Sequence, residues 1–461
     1  MTDSASPDLA GVPTDSFGVL GPRLVIAGTQ SGVGKTTVAT GLMAAWTAAG
    51  LRVAPAKVGP DFIDPGYHAL ATGAPGRNLD AFLSGAAAIA PLAARAARGA
   101  DVLVIEGVMG LFDGVGATSE ASTADVAITL DAPVVLVVDE SAISASVAAL
   151  VHGFCTHRPE LRLSGVILNR VGSDTHEELL REALAPLHVP VLGALRRDDA
   201  FAWRDRHLGL VPVAEHPDDI RRSLAHLAAA VAARLDLAAL WGIARGAPAK
   251  SAAPLAPTRR TGAARVAVAS GPAFTFAYPD NLERMIEAGA EILPFDPLVD
   301  RSLPSRSTGL YVGGGFPEVY GAGLSENTSL LEDDRLRTGA GLPTWAECGG
   351  LLWLSRSLDG KALCGAIPAD AHMTERLTLG YRHATLHVDS PVAAKGSDLR
   401  GHEFHYSTTD PPGDAATLSG RSGTVSCGYA SSTLFASYLH LHLGATPEPA
   451  ERFVVSATPS R

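Results

Sequence analysis

The feature that most constrains the fold is a ten-residue loop, Gly28-Thr-Gln-Ser-Gly-Val-Gly-Lys-Thr-Thr37. It lies between a short apolar run, Leu24–Ala27, and an Ala-rich segment of helical length, 37–49. Gly28, Gly34, Lys35 and Thr36 fill the defining places of G-x(4)-G-K-[ST], in the strand-before, helix-after context that motif requires. Ser31, Gly32 and Thr37 complete the loop. Its glycines let backbone N–H groups converge on phosphate oxygens, and the helix start adds a positive dipole end. Lys35 supplies a point charge, and the Thr36 hydroxyl can ligate Mg²⁺. A plain glycine turn between strand and helix is the alternative, but it would not need every defining position to match. The loop therefore predicts ATP with Mg²⁺, on a sheet whose strands are joined through helices.

The rest of the chain fits that start. Val102–Ile105, Val134–Val138 and Val166–Leu168 are brief β-branched runs of the kind that parallel strands, buried on both faces, display. Helical segments such as 141–151 alternate with them, which argues for a doubly wound α/β sheet. Residues 1–21 are rich in Ser, Asp, Pro and Gly and read as a loose tail, without the charged and apolar regions of a signal peptide. Residues 246–264 are dense in Pro, Ala, Gly and Arg and read as a linker. A second α/β alternation follows, with strands expected at 266–269, 292–295, 310–312 and 343–346. The expected organisation is a phosphate-loop domain over 22–245 and a second α/β domain over 265–461.

Composition removes several function classes. Of 461 residues, 37 are Lys or Arg and 48 Asp or Glu, a net charge of −11, and the chain is 46% hydrophobic. An acidic chain is a poor general binder of nucleic acid or of anionic membranes. No apolar run reaches the length of a membrane-spanning helix. The cysteines Cys155, Cys348, Cys364 and Cys427 have no paired spacing, which points to a reduced, cytoplasmic protein.

Three places carry further chemistry. Val102-Leu-Val-Ile-Glu-Gly107 is an apolar strand ending in a carboxylate, so Glu106 can hold Mg²⁺ directly or through water; the alternative is a polar residue that merely ends a buried strand. Asp139, closing the run 134–138, is a weaker candidate of the same kind. Asn169, after the run 166–168, stands where a side chain can read adenine, or is a turn-forming Asn. The loop Ala56-Lys-Val-Gly-Pro-Asp-Phe-Ile-Asp-Pro65 packs Lys57, Asp61 and Asp64 at the same carboxyl edge of the sheet. Those aspartates could serve a metal or simply form turns. Finally, Pro343-Thr-Trp-Ala-Glu-Cys-Gly-Gly-Leu-Leu352 reads as strand, sharp turn and helix, the elbow that exposes a nucleophile. Cys348 at a helix start should have a lowered pKa, with the following N–H ready for an oxyanion.

Together these blocks resemble a known family. GTQSGVGKTT, KVGPDFIDPGYHAL with GRNLD, IEGVMGLFDG and RHLGLVP in the first half resemble the cobyrinic acid a,c-diamide synthases of corrinoid biosynthesis. So do FAYPDNLERMIEAGAEILPFDPL, GGGFPEVY, AECGGLLWL and SYLHLHLG in the second. The hydrogenobyrinic acid a,c-diamide synthases are equally compatible. The resemblance implies a dethiobiotin synthetase-like ligase domain fused to a class I, triad-type glutamine amidotransferase domain. It implies ATP and Mg²⁺ roles for Lys35, Thr36 and Glu106, and metal or substrate roles for Asp61 and Asp64. It implies oxyanion stabilisation by the glycines of Val312-Gly-Gly-Gly-Phe-Pro-Glu318. Related glutaminases carry His-x-Glu after the elbow; here His440 falls in the base position and His442 where the Glu would be. The third triad member is thus open between His442 and another group, while His402 and His405 read as substrate-side or structural.

The implied reaction takes a corrinoid, glutamine and ATP, and a homodimer is left open. The resemblance covers both the cobalt-free and the cobalt-containing corrinoid. The cobyric acid synthase type is the nearest rival, and GPDFIDP with the His-Leu-His doublet counts against it. A nickel-sirohydrochlorin a,c-diamide synthase is a further rival. A partition-type ATPase switch shares the phosphate loop, but it would need neither Cys348 nor a second domain.

Overall fold

A computed structural model describes residues 18–197, 205–206, 209–210, 217–421 and 423–459. The chain divides into two compact units, Met1–Ala81 with Gly85–Leu255, and Phe82–Ser84 with Ala256–Arg461.

The first unit is built on a seven-stranded sheet ordered Arg77–Leu79, Val53–Val58, Val102–Glu106, Arg23–Gly28, Val134–Asp139, Leu163–Val171, Val191–Arg196. Every neighbouring pair is parallel. The strand cores are buried along their length, which is why they read as continuous Val, Leu and Ile runs rather than alternations. One face packs Leu42, Trp46, Leu227 and Val231; the other packs Leu92, Val126, Leu130 and Val147. With helices on both faces, only the strand ends remain for ligands, and the phosphate loop leaves the central strand at its carboxyl end.

Three expectations shift. The tail and linker are partly ordered, because Val19–Leu20 pairs antiparallel with Lys250–Ser251 and Leu20 is fully buried. Arg23 fastens that junction: its guanidinium donates to the carbonyls of Leu130 at 2.7 Å, Gly21 at 2.8 Å and Pro248 at 2.7 Å. The rest of the expected tail, 1–17, lies outside the described residues, as does most of the RHLGLVP block. The helix expected at 141–151 is Val147–Thr156 instead, since the Asp139 carboxylate accepts the Ser141 N–H and holds a turn there.

The second unit has a six-stranded sheet ordered Ala290–Phe295, Ala264–Ala269, Gly309–Val312, Thr344–Glu347, Leu434–Ser437, Tyr429–Ser431, parallel except for the last pair. The sequence reading missed a second sheet. Asp370–Leu386 and Asp398–Asp410 form a long antiparallel pair, joined by Ala416–Gly420, Gly423–Cys427 and His440–Leu441. Its long strands are only partly buried, so polar residues interrupt the apolar positions and no clean period stands out. Among the described residues no helix is long and apolar enough to cross a membrane.

Candidate functional sites

At the first site, Gly34 turns the loop into the helix Lys35–Ala48 with a φ of 92°, and the helix start carries no side-chain cap. Its first N–H groups therefore suit an anion. A Cβ on Gly34 would stand 2.1 Å from Asn169 Nδ2, so glycine is required by space as well as by conformation. Asn169 donates that Nδ2 to the Val33 carbonyl at 2.8 Å, bracing the loop from the next strands of the sheet. Lys35 Nζ donates to the Gln30 carbonyl at 2.9 Å, across the hollow of the loop.

Facing the loop is a buried ionic cluster. The Thr36 hydroxyl donates to Glu106 Oε1 at 2.7 Å and lies 3.4 Å from Asp64 Oδ2. Lys57 Nζ donates to Asp64 Oδ2 at 2.6 Å and Glu106 Oε1 at 2.7 Å. His68 Nε2 meets the other Glu106 oxygen at 2.7 Å. Asp61 spends Oδ1 on the N–H groups of Ile63 and Asp64, at 2.8 and 3.1 Å, and places Oδ2 4.0 Å from Lys57. It is thus a turn-former with one oxygen directed at the cluster. Asp139 pairs with Arg170 instead, which removes it as a metal candidate.

The charges follow from these contacts. Burial and the neighbouring Lys57 pull Lys35 down to about 8. Burial would also lower Lys57, but Asp64, Glu106 and Asp61 outweigh it and hold the ammonium charged. Burial beside Asp61 and Glu106 pushes Asp64 up, whereas Lys57 and His68 overcome burial and keep Glu106 ionised. A hydroxyl and two carboxylates make a hard oxygen set that fits Mg²⁺. Among the described residues no three His, Cys, Asp or Glu side chains form a metal cage. Mg²⁺ does not need one, because it binds through one or two carboxylates together with phosphate oxygens.

At the second site, Cys348 ends the strand Thr344–Glu347 at φ 49° and ψ −100°, a strained conformation held by its N–H donating to the Ser437 carbonyl at 2.8 Å. The glycine loop after Gly309–Val312 lies against this elbow: a Cβ on Gly349 would stand 3.0 Å from the Gly315 nitrogen. His440 closes the group, since a Cβ on Gly314 would stand 2.5 Å from its Cε1 and 3.3 Å from its Nε2. The structure thus brings Cys348, His440 and the glycine loop together. His442 is directed elsewhere, its Nε2 3.9 Å from Asp280 Oδ2 and its ring 4.8 Å from that of Tyr278. His402 stacks on His440 with centroids 4.9 Å apart, and its Nε2 meets the Tyr278 hydroxyl at 2.8 Å. His405 stacks on Tyr438.

The expected low pKa of Cys348 is not what this pocket produces. The thiol is 5% exposed, and burial with Glu318, Glu347 and Glu403 nearby pushes it up, opposed by the Gly349 N–H. The helix behind it, Gly349–Leu354, is too short to offset that. Burial likewise holds His440 far below its usual range, with His402 and His405 acting in the same direction. The resting pair is therefore a neutral thiol beside a neutral imidazole, the state from which a base can take a proton.

Sequence reasoning missed His68, although it lies four residues after Asp64 in the helix Asp64–Thr72, hence on the same face. It also passed over Glu347, written in the motif beside Cys348.

Two family descriptions match the chain: CobQ/CobB/MinD/ParA nucleotide binding domain over residues 24–210, and CobB/CobQ-like glutamine amidotransferase domain over 265–448. The chain is similar to the hydrogenobyrinate a,c-diamide synthase of Streptomyces coelicolor, at 50% identity over 94% of this chain and 97% of that one. It is similar to that of Thermobifida fusca at 47%, over 95% and 98%. The cobyrinate a,c-diamide synthase of a Synechococcus strain is 41% identical over 94% and 97%.

Proposed function

Because the chain belongs to the family of cobyrinate and hydrogenobyrinate a,c-diamide synthases, we propose that it amidates the a and c acetate carboxylates of a corrinoid ring, using ATP and glutamine. It is an amidating ligase with a nucleotide-binding domain and a glutamine amidotransferase domain. What carries the reading is that one chain joins a phosphate loop faced by carboxylates to a thiol elbow with its histidine. Hydrogenobyrinic acid is favoured as substrate, since the relatives so named reach 50% and 47% identity against 41% for a cobyrinate enzyme.

In the first half-reaction a substrate carboxylate oxygen attacks the γ-phosphorus of ATP, and ADP leaves. Lys35 and the loop N–H groups stabilise the charge spread over the transferring oxygens. Thr36, Asp64 and Glu106 would hold Mg²⁺, whose chemistry there is neutralisation of phosphate charge. Lys57 keeps these carboxylates from repelling one another. Asn169 Oδ1 is the atom of that amide available to a purine. The acyl phosphate is then open to ammonia, which displaces phosphate and leaves the amide.

In the second half-reaction His440 takes the Cys348 proton, and the thiolate attacks the glutamine side-chain amide. The N–H groups of Gly315 and Gly349 face the oxyanion, ammonia leaves, and water hydrolyses the thioester. The four cysteines are unpaired, in keeping with a reducing cytoplasm. The test is incubation with hydrogenobyrinic and cobyrinic acids separately, with glutamine and ATP, followed by mass analysis. Conversion of the cobalt-free acid to its diamide is expected; failure of both acids to gain two amides removes the assignment.

A further inference from the structure

We propose that the Glu347 carboxylate is the positioning residue that holds the His440 imidazole toward Cys348, the place that His442 fills by sequence analogy alone. This rests on the glutaminase reading above. Glu347 ends the buried strand and is 1% exposed. Both of its oxygens are pinned: Oε1 accepts the Leu441 N–H at 3.1 Å, and Oε2 accepts the Tyr311 hydroxyl at 3.0 Å. The first bond ties the carboxylate to the residue next to His440. Oε2 lies 3.9 Å from His440 Nδ1.

The ring's orientation divides its nitrogens between two tasks. Its Cε1–Nε2 edge abuts Gly314, whose loop touches the elbow at Gly349, so Nδ1 is the nitrogen turned to Glu347. The nearby carboxylate of Glu403 is engaged with Arg382 at 2.6 Å, and His442 stands by Asp280. An Nδ1–H aimed at a carboxylate fixes the tautomer whose Nε2 lone pair accepts the thiol proton. Closing 3.9 Å to a charge-assisted bond requires about 1 Å, a tightening common when an active site fills.

The Sγ–H bond breaks and Nε2–H forms, giving thiolate and imidazolium. The carboxylate opposite stabilises that cation without taking a proton. Sγ then bonds to the amide carbon, the C–N bond breaks, and the Nε2 proton leaves with ammonia.

The test measures kcat and KM for glutamine, and amidation driven by an ammonium salt, in Glu347→Gln, Glu347→Asp and Cys348→Ser. Glu347→Gln keeps groups able to bond Leu441 and Tyr311 but removes the charge. Its kcat with glutamine should fall about 10³- to 10⁴-fold with KM within about threefold, the upper figure being that for loss of an orienting carboxylate elsewhere. Ammonium-driven amidation should stay at the wild-type rate, and Glu347→Asp should regain about tenfold. A kcat for Glu347→Gln within about twofold of wild type overturns the inference. So does a change confined to KM, or equal loss with both nitrogen donors in both Glu347 variants. Glutamine use surviving in Cys348→Ser would instead overturn the glutaminase reading itself, whereas failure only at Glu347 leaves that reading standing.

Discussion

The two candidate sites stand at the carboxyl ends of parallel strands, yet they manage charge in opposite ways. In the phosphate-loop unit, Lys57, Asp64, Glu106 and His68 are buried as a bonded ionic cluster, and Glu106 stays ionised although fully buried. In the thiol unit, burial holds Cys348 and His440 neutral and raises Glu347 to about 8 at rest, a shift that the imidazolium formed beside it opposes, so the carboxylate takes its full charge as the proton moves. The difference matches the chemistry proposed for each. Phosphoryl transfer begins with charges already present, and a cradle of fixed ions needs little rearrangement as they move. Thiol attack begins from neutral groups and creates an ion pair at the moment of reaction, so a pocket that disfavours charge at rest suits it only if a partner stands beside the cation that forms.

That contrast breaks most visibly through the nitrogen donor. Lys35→Ala should lower amidation by about 10³-fold or more with both glutamine and ammonium, because on the proposed mechanism both require the acyl phosphate. Full ammonium-driven activity in that variant would take carboxylate activation away from the first unit. Glu106→Gln should cost about 10²–10³-fold with both donors, since it removes one charge from the cluster and puts an amide NH2 where Oε2 met His68, although the amide oxygen can still accept from Thr36 and Lys57. Unaltered turnover at saturating Mg²⁺, in a variant shown folded by circular dichroism, would return Glu106 to a structural role.

In the thiol unit the equivalent probe is steric. Gly314→Ala places a methyl 2.5 Å from His440 Cε1, so the ring or the loop must shift. A displacement near 1 Å is enough to cost about 10²-fold in turnover. Glutamine-driven amidation should fall by that order while ammonium-driven amidation holds. Equal loss with both donors would mean that the glycine loop supports the whole unit rather than its chemistry.

The phosphate loop and its strand–helix setting were legible in the sequence because a local motif fixes them: every part lies within residues 24–49 and needs no distant partner. The convergence of Thr36, Asp64 and Glu106 was legible for a related reason, since strand ends in a parallel sheet share one edge. The identity of the cation among them was less so, because Lys57 reads as a phosphate neutraliser and only the sheet register, Lys57 opposite Glu106, makes it an ion-pair partner. The thiol unit hides more. His440 reaches Cys348 by way of an antiparallel sheet in which it pairs with His402, and that sheet's partly buried strands carry no clear period. Glu347 escaped notice because a carboxylate ending a buried strand is ambiguous until its neighbours across the sheet, Tyr311 and Leu441, are known.

The contrast between the units has one internal exception, which yields the smallest expected effect. Glu140, just past the strand Val134–Asp139 of the phosphate-loop unit, is fully buried with both carboxylate oxygens lacking a hydrogen-bond partner among the described residues. Burial, with Asp139 adding to it, raises its pKa to about 7. In the unfolded chain the same group would titrate near 4.3. The folded state therefore binds the extra proton between those values, and stability falls as pH rises through that window. Glu140→Gln cannot ionise and should lose this slope. Its melting temperature should match the wild type at about pH 4 and exceed it at about pH 8, with amidation by either donor unchanged. Parallel melting curves for the two proteins across that range would mean that Glu140 finds a partner once the chain is in solution.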